Sequence, residues 1–137
     1  MNGWLIYTEA DSIRNKSYID WFIDEAKKQS IELTLLLRED ISIGIRRDKQ
    51  IINTKGKEVY ADFAVVRTMD PLLNKQLEQM GVTVFNNAVI SETFNHKAHG
   101  YLAMQQLGIP VPESYFFSRK TYSFLFATKF PICCQSG

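Results

Sequence analysis

The sequence lacks the features that mark secreted and membrane proteins. Its two cysteines, Cys133 and Cys134, are adjacent, which is a poor geometry for a mutual disulfide, so no disulfide framework is expected. No apolar run approaches the roughly 20 residues that a membrane-spanning helix needs. The N-terminal residues MNGWLIYTEAD have no basic start before the apolar run and acidic residues directly after it, unlike a signal peptide. We therefore predict a cytoplasmic protein without a membrane partner.

An excess of charge of one sign is also lacking. The chain has 16 basic and 15 acidic residues, for a formal net charge of +1. Because nucleic-acid binders usually carry a basic face, no nucleic-acid partner is expected. The sequence contains neither the glycine-rich motifs of P-loop and dinucleotide-binding proteins nor the serine elbow of hydrolases. With 137 residues, 45% of them apolar, the chain fits one domain with a buried core.

Short apolar runs alternate with amphipathic segments along the chain. Strands are predicted at residues 4–7, 32–37, 63–67 and 82–85, and residues 8–16 are predicted to be a polar loop. Three helices are predicted from apolar residues at helical spacing: Ile19, Phe22, Ile23 and Ala26; Leu72, Leu73, Leu77 and Met80; and Ala98, Tyr101, Leu102 and Leu107. This alternation is typical of βαβ units. We predict an α/β fold with a mostly parallel, Rossmann-like sheet and flanking helices.

Several residues mark the ends of these helices. Asp70 precedes Pro71 and is predicted as an N-cap, while Gly81 is predicted to close that helix. Asn95 is a candidate cap for the third helix, which Gly108 is predicted to end. Two i,i+4 ion pairs are predicted on the first helix, Lys16–Asp20 and Asp24–Lys28.

The pattern changes between residues 39 and 60. Ile41, Ile43 and Ile45 alternate with polar residues, and turns are expected around residues 46–49 and 55–57. This pattern predicts a small antiparallel excursion at the edge of the main sheet. Its basic residues are most simply a solvated surface, with a binding role as the alternative: Arg46, Arg47, Lys49, Lys55 and Lys57.

The residues after Pro112 are rich in aromatic side chains. A strand is predicted at residues 115–117, a short helix at 121–129 and a further strand at 130–135. An aromatic surface of this kind is expected to need a cover, and a second copy of the chain is one candidate for it.

Polar residues follow the predicted strands where a parallel sheet binds its ligands, beyond the carboxyl ends of the strands. Arg67 is the leading candidate there, because a guanidinium can hold a carboxylate or phosphate with two parallel hydrogen bonds. The alternative is that Arg67 pairs with Asp70 and only fixes the loop. Asn15 and Asn87 are the other candidate substrate-binding residues at these strand ends.

Four motifs carry a resemblance to a known family. The sequence reads R-T-x-D-P from Arg67, then M-G-V-x-V-F-N from Met80, S-E-x-x-N-x-K from Ser91 and L-G-I-P-x-P from Leu107. This series resembles the start of a RimK-like ATP-grasp ligase of the glutamate-ligase type. The resemblance implies a pre-ATP-grasp domain at residues 1–112 and the start of an ATP-grasp domain at residues 113–137.

The resemblance also implies an activity and residue roles. Such ligases join a carboxylate to an amine through an acyl-phosphate, using ATP and Mg²⁺. Arg67 would face the acid substrate and Lys97 would reach a nucleotide phosphate, although an ordinary exposed lysine is the alternative at that position. His96 stands where the family more often has Asp, and Gln135 stands in the F-P-x-x-x-K strand where the family has its second nucleotide lysine.

The chain ends at Gly137, where the glycine-rich phosphate loop of the family would begin. We therefore expect an incomplete ATP site and no ligase activity from this chain alone. One rival function is an interaction module that forms a homo-oligomer through the aromatic C-terminal residues. Another is a receiver-like signalling domain, whose acids would be Glu9, Asp11 and Asp70. No metal site is predicted, because His96 and His99 alone supply only two ligands.

Overall fold

The computed structural model describes residues 1–116. The strands are β1 (Asn2–Tyr7), β2 (Glu32–Leu37), β3 (Ile41–Arg46), β4 (Lys49–Thr54), β5 (Lys57–Glu58), β6 (Phe63–Val66) and β7 (Thr83–Phe85). The helices are α1 (Glu9–Arg14), α2 (Lys16–Lys28), α3 (Pro71–Gln79), α4 (Ala88–Phe94) and α5 (Lys97–Gln106), with a 3₁₀ turn at Arg38–Asp40. Within this described part, every helix is too short or too polar to cross a membrane.

Contacts divide the chain into two compact units, residues 1–92 and residues 93–137. The seven strands found among residues 1–116 all belong to the first unit. The predicted domain boundary between residues 112 and 113 stays a prediction. The helix and strand predicted at residues 121–135 lie outside the described residues, and Tyr115 and Phe116, predicted to begin a strand, have irregular structure.

The main sheet has four strands in the order β2-β1-β6-β7. All three pairings are parallel, with Leu5 beside Leu35 and Val65, and Val65 in turn beside Phe85. Parallel strands need crossover connections, and the amphipathic segments between the apolar runs supply them. The predicted α/β fold with a mostly parallel sheet is confirmed.

The core lies on both faces of this sheet, because successive side chains of β1 point to opposite sides. Trp4 and Ile6 are buried in a cluster on one face, while Leu5 and Tyr7 are buried in a cluster on the other. The first cluster includes α3 and the antiparallel strands, and the second includes α2. Helices on both faces explain why the strands read as continuous apolar runs.

The predicted helix over α2 is confirmed, with Ile19 buried and Phe22, Ile23 and Ala26 packed on the same cluster. One of its two predicted ion pairs forms, with 2.6 Å between Lys16 Nζ and Asp20 Oδ2. The second prediction is wrong in its partner, since Lys28 pairs with Glu25 at 2.9 Å rather than with Asp24. Both i,i+3 and i,i+4 positions are neighbours on a helix, so either acid is within reach of that lysine.

Helix α3 begins and ends as its sequence predicts. The Asp70 carboxylate accepts a hydrogen bond from the Leu73 amide at 2.9 Å, and Pro71 occupies the first helical position. Gly81 follows the helix with a φ of +84°, the left-handed conformation that glycine adopts without strain. Leu73 and Leu77 are fully buried, and each contributes about 1.5–3 kcal/mol of hydrophobic stabilisation.

The antiparallel excursion is a sheet of its own, in the order β3-β4-β5, rather than an edge of the main sheet. Its side chains Ile41 and Ile52 are buried in the same hydrophobic cluster as Trp4 and Ile6. Gln76 of α3 also holds it, because its side-chain amide donates to the carbonyl oxygens of Gly44 at 3.1 Å and Ile51 at 2.9 Å. Gly44 and Ile51 are paired residues of β3 and β4, so the Gln76 side-chain amide binds the carbonyl oxygens of both strands.

Both predicted turns of this sheet are present. Arg47 and Asp48 have φ values of +51° and +60°, and Lys55 and Gly56 have values of +50° and +78°. Two successive residues with positive φ are the mark of the tight turns that match the twist of a hairpin. The predicted solvated surface fits the exposure of the basic residues here, and Arg46 and Lys55 pair with the acids Glu58 and Asp40.

Two predictions about the connecting segments are wrong, and one helix was not predicted. Residues 8–16 are not a loop throughout, because α1 occupies Glu9–Arg14. Helix α4 follows the turn at residues 86–87, where no helix is predicted. Helix α5 begins after His96 rather than after a cap at Asn95.

Candidate functional site

Polar segments meet at one edge of the main sheet, called here the carboxyl edge because all four of its parallel strands end there. Thr8, Arg38, Arg67 and Asn86 directly follow β1, β2, β6 and β7. The chain leaves β1 towards β2 on one side and β6 towards β7 on the other, so the topology reverses between β1 and β6. Ligands of open α/β sheets bind beyond the strand ends at such a reversal.

Arg67 lies at this reversal. Its backbone amide donates to the Ile6 carbonyl oxygen of the neighbouring strand at 2.8 Å, which fixes the backbone from which the side chain extends. The side chain is exposed, and among residues 1–116 its guanidinium has neither a hydrogen-bond partner nor an ion-pair partner. The guanidinium is therefore available to an anion.

The alternative pairing of Arg67 with Asp70 is not formed, because Asp70 already has two other partners. One carboxylate oxygen accepts from the Leu73 amide, and the other lies 2.5 Å from Nε of Arg38. Burial alone raises the pKa of the Asp70 carboxyl, but these hydrogen bonds and the Arg38 charge outweigh it and hold that pKa below its usual range. Asp70 is therefore an ionised, fully engaged helix cap.

Thr68, the residue after Arg67, is buried with its side-chain oxygen unpaired. Only 8% of the residue is exposed, and Oγ1 has no hydrogen-bond partner. A buried hydroxyl without a partner costs about 1–3 kcal/mol, so a valine would be the more stabilising residue of similar shape. The sequence singles out Arg67 in this segment but does not indicate that the hydroxyl of the next residue, Thr68, is buried without a partner.

The segment after β1 has similar side chains, but they bond to one another. Thr8 caps α1 by accepting from the Asp11 amide at 3.1 Å, and its hydroxyl donates to the Asp11 carboxylate at 2.8 Å. Arg14 pairs with the same carboxylate. The hydrogen bond from Thr8, followed by that from Arg14, lowers the pKa of Asp11. This segment, despite its polarity, leaves no cation unpaired among its members.

The two candidate asparagines have structural partners. The side-chain amide of Asn15 donates to the Asp11 carbonyl oxygen at 2.8 Å, at the junction of α1 and α2. The side-chain oxygen of Asn87 accepts from the Ile90 amide at 2.8 Å at the start of α4. Asn87 lies in the turn after β7, whereas Asn15 lies beyond α1, and these bonds make both of them helix-end residues. Their role in substrate binding stays a prediction.

The loop after β7 is held by α3. The Glu78 carboxylate accepts from the Ala88 amide at 2.7 Å, and Lys75 lies 3.5 Å from Glu92. Asn74 is almost fully buried and contacts the Asn86 carbonyl oxygen at a long 3.4 Å, while its own side-chain oxygen is unpaired. The carboxyl edge thus contains two buried polar atoms without partners, one near β6 and one beside the loop after β7.

Large apolar side chains are exposed near the carboxyl ends of β6 and β7 and at the starts of the helices that follow them, α3 and α4. Met69 is 76% exposed, Leu72 is 65% exposed and Phe85 is 52% exposed. Val89 and Ile90 of α4 are exposed as well. These exposed side chains lie in the segments that begin at the carboxyl ends of β6 and β7.

Lys97 lies in the second unit and is described separately. It is the first residue of α5, with an exposed side chain, and the preceding N-cap residue His96 makes no side-chain capping bond. A cation at a helix N-terminus is disfavoured by the helix dipole, which an anionic partner would offset. The rings of His96 and His99 stack at 4.4 Å between centroids, and Gln135 lies outside the described residues.

A metal centre is not formed by this part of the chain. Residues 1–116 contain no group of three or more His, Cys, Asp or Glu side chains placed to hold an ion. A receiver-like domain needs such a cluster of acids after its first and third strands, but Asp70 is bonded to Arg38. The receiver-like alternative therefore gains no support.

The sequence reasoning missed Arg38. This arginine directly follows an apolar strand, as Arg67 does, so the same signal was present in the sequence. Its partner Asp70 lies 32 residues further along the chain, and only the sheet order brings the two together.

Comparison of the chain with protein-family models gives no match, and comparison with curated proteins gives none either.

Proposed function

We propose that the chain is the N-terminal part of an ATP-dependent carboxylate–amine ligase of the RimK-like, ATP-grasp type, and that its carboxyl edge binds the acid substrate. The observation that carries the proposal is the unpaired Arg67 guanidinium at the reversal point of a parallel sheet. A guanidinium matches the two oxygens of a carboxylate in geometry and charge. The R-T-x-D-P motif that suggests the family contains this arginine.

The role of Arg67 in such a reaction is to bind and orient the acid. In an acyl-phosphate mechanism one carboxylate oxygen attacks the γ-phosphorus of ATP and ADP leaves, and the amine then displaces phosphate from the acyl carbon. A fixed guanidinium on the acid substrate limits its rotation and presents it in one orientation. The exposed Met69, Leu72 and Phe85 would be covered by the catalytic lobe of the complete enzyme.

The nucleotide half of the proposal rests on Lys97 alone in the described residues. Bound ATP and Mg²⁺ would supply the phosphoryl group and neutralise its charge. Residues 1–116 offer no set of ligands that fits the metal, so no reaction step is assigned to it. We propose that the complete enzyme is cytoplasmic and that this chain alone is inactive. ATP-dependent ligation by the purified 137-residue chain would contradict that part of the proposal.

The acid site is tested by nuclear magnetic resonance. Glutarate, a dicarboxylate without an amine, is titrated into ¹⁵N-labelled protein and amide shifts are followed. We expect concentration-dependent shifts at Arg67, Thr68 and Met69, with little change in β3, β4 and β5, which lie in a different sheet. Chloride at the same ionic strength is the control. Shifts that are absent, or that are the same with chloride, would contradict the proposal.

The nucleotide site is tested separately by calorimetry with Mg-ATP. If Lys97 holds a phosphate, the heat of binding of the wild-type chain is lost in Lys97→Ala and kept in Lys49→Ala, an exposed lysine of the antiparallel sheet. Equal binding by wild type and Lys97→Ala would remove Lys97 from the site. The absence of heat with all three would place nucleotide binding outside this chain.

A second candidate function is a non-catalytic interaction module derived from such a ligase. Exposed aromatic residues favour it: Tyr18 is 47% exposed, Trp21 is 56% exposed, and their rings contact each other with centroids 5.7 Å apart. The sequence predicts the aromatic C-terminal segment as a separate contact surface. An oligomer on size exclusion that dissociates in Phe124→Ser/Phe126→Ser would support the module, and a monomer at all concentrations would exclude a homo-oligomer.

A further inference from the structure

Of two arginines at the carboxyl edge, Arg38 is paired with a carboxylate and Arg67 has no side-chain partner among the described residues. Arg38 follows β2, and Arg67 follows β6, while β1 lies between these two strands. Asp70 is only three residues after Arg67 in sequence, yet it pairs with Arg38. The identity of the arginine that holds Asp70 decides which guanidinium is left unpaired.

Arg38 is held by more than the charge of Asp70. Its Nε lies 2.5 Å from the Asp70 carboxylate, and its Nη1 donates to the Ile41 carbonyl oxygen at 2.9 Å. The side chains of Arg38 and Asp70 are 29% and 21% exposed, so water screens this pair less than a surface pair. The planar guanidinium thus satisfies a carboxylate and a backbone carbonyl with one fixed orientation.

We propose that Arg38 is a positioning residue, which by occupying Asp70 keeps the Arg67 guanidinium unpaired and available to an anion. The part about a ligand rests on the proposed acid site, whereas the part about Arg67 does not. Without Arg38, the partly buried Asp70 carboxylate would have no cation, which is costly. Arg67 is the nearest arginine in sequence, and it would turn towards Asp70. An anionic ligand would then have to displace Asp70 before it could bind.

The availability of Arg67 can be measured without any ligand. Phenylglyoxal reacts with unpaired guanidinium groups, and peptide mass spectrometry gives a rate for each arginine. In the wild type we expect fast modification of Arg67 and slow modification of Arg38. In Arg38→Gln the modification of Arg67 should slow by about tenfold, because a charge-assisted pair contributes more than about 1.4 kcal/mol.

A double variant separates positioning from a general loss of structure. In Arg38→Gln/Asp70→Asn the acid that would capture Arg67 is gone, while asparagine can still cap α3. We expect the fast modification of Arg67 to return. A structural role alone would not be rescued by the second change. An Arg67 rate that is the same in wild type and Arg38→Gln, or slow in the double variant, overturns the proposal. Exposed Arg47 serves as the internal reference.

The wild type gives a second test that does not depend on the folding of a variant. Exchange of the side-chain Nε–H with water should be slow for Arg38 and fast for Arg67. The reverse order would overturn the proposal. Glutarate affinity, measured on the same variants, tests the acid site independently. Rates that change as expected, with no glutarate binding by any variant, would support Arg38 as the positioning residue and contradict the acid-site proposal.

Discussion

Two segments of the carboxyl edge contain nearly the same residue types, but their side chains have different partners. The segment after β1 has Thr8, Asp11 and Arg14, and these three side chains bond to one another. The segment after β6 has Arg67, Thr68 and Asp70, but here the acid pairs with an arginine from another strand. The arginine and the threonine are left without partners among the described residues.

The difference shows that composition alone does not locate a site. A threonine, an acid and an arginine that satisfy one another form a helix start, as in α1. The same three types become a candidate site when a distant residue removes the acid from the set. What distinguishes the two segments is the pairing of Arg38 with Asp70, which depends on the order of the strands.

Replacing Asp70 and replacing Asp11 should lower the free energy of unfolding by different amounts. Asp70→Ala deletes a helix cap and leaves the Arg38 guanidinium, only 29% exposed, without its carboxylate. We expect the free energy of unfolding in urea to fall by about 2–3 kcal/mol, from the loss of the cap and a charge-assisted hydrogen bond. Asp11→Ala is the matched control, and its cost should be smaller because its pair is solvent-exposed. Equal losses in both would mean that the two acids are equivalent.

The threonines should respond with opposite signs. Thr8→Val removes the oxygen that caps α1 and should lower the free energy of unfolding by about 1 kcal/mol. Thr68→Val removes a buried, unpaired oxygen and should leave stability unchanged or raise it by up to about 1 kcal/mol. Thermal and urea unfolding of both variants check this. A destabilised Thr68→Val would show that the hydroxyl has a partner, such as an ordered water.

The dependence of stability on pH should separate Asp70 from its neutral replacement. Its pKa is lowered in the folded protein, so its stabilisation is fully present above its ordinary pKa of 3.8 and is lost as the pH falls through the lower, folded-state value. Below about pH 4, the wild type should therefore lose stability more steeply than Asp70→Asn. Urea unfolding between about pH 5 and 2.5 measures this. Identical slopes would mean that the Leu73 amide and Arg38 do not lower the pKa of Asp70.

Much of the fold follows from local sequence. The apolar run that becomes β1 and the helical spacing that becomes α2 are each visible within a short window. The cap at Asp70 and the glycine at Gly81 fix both ends of α3 in the same way. The turns with positive φ at Arg47 and Gly56 also lie where the sequence predicts them.

The missed elements have weak local signals. Helix α1 has six mostly polar residues, none of them buried, so it lacks the apolar face from which a helix is predicted. Helix α4 buries only Ala88 and leaves Val89 exposed, which again gives no clear period. Short helices of this kind depend on caps and on their neighbours more than on propensity.

The candidate site divides in the same way. Arg67 is found from its place after an apolar strand, which is a local signal. Its availability depends on Arg38, and this contact joins residues 32 positions apart. The unpaired oxygen of Thr68 is likewise a property of the packed structure, since the sequence does not show which side of the loop it faces.

The most direct test compares Arg67, which has no side-chain partner among the described residues, with Arg14, which is paired with Asp11. Glutarate is titrated into the wild type, Arg67→Gln and Arg14→Gln, and the dissociation constants come from amide shifts. We predict that Arg14→Gln binds as the wild type does, because Arg14 is committed to Asp11. Arg67→Gln should bind about tenfold more weakly or worse. Wild-type affinity in Arg67→Gln, or an equal loss in both variants, would contradict the account.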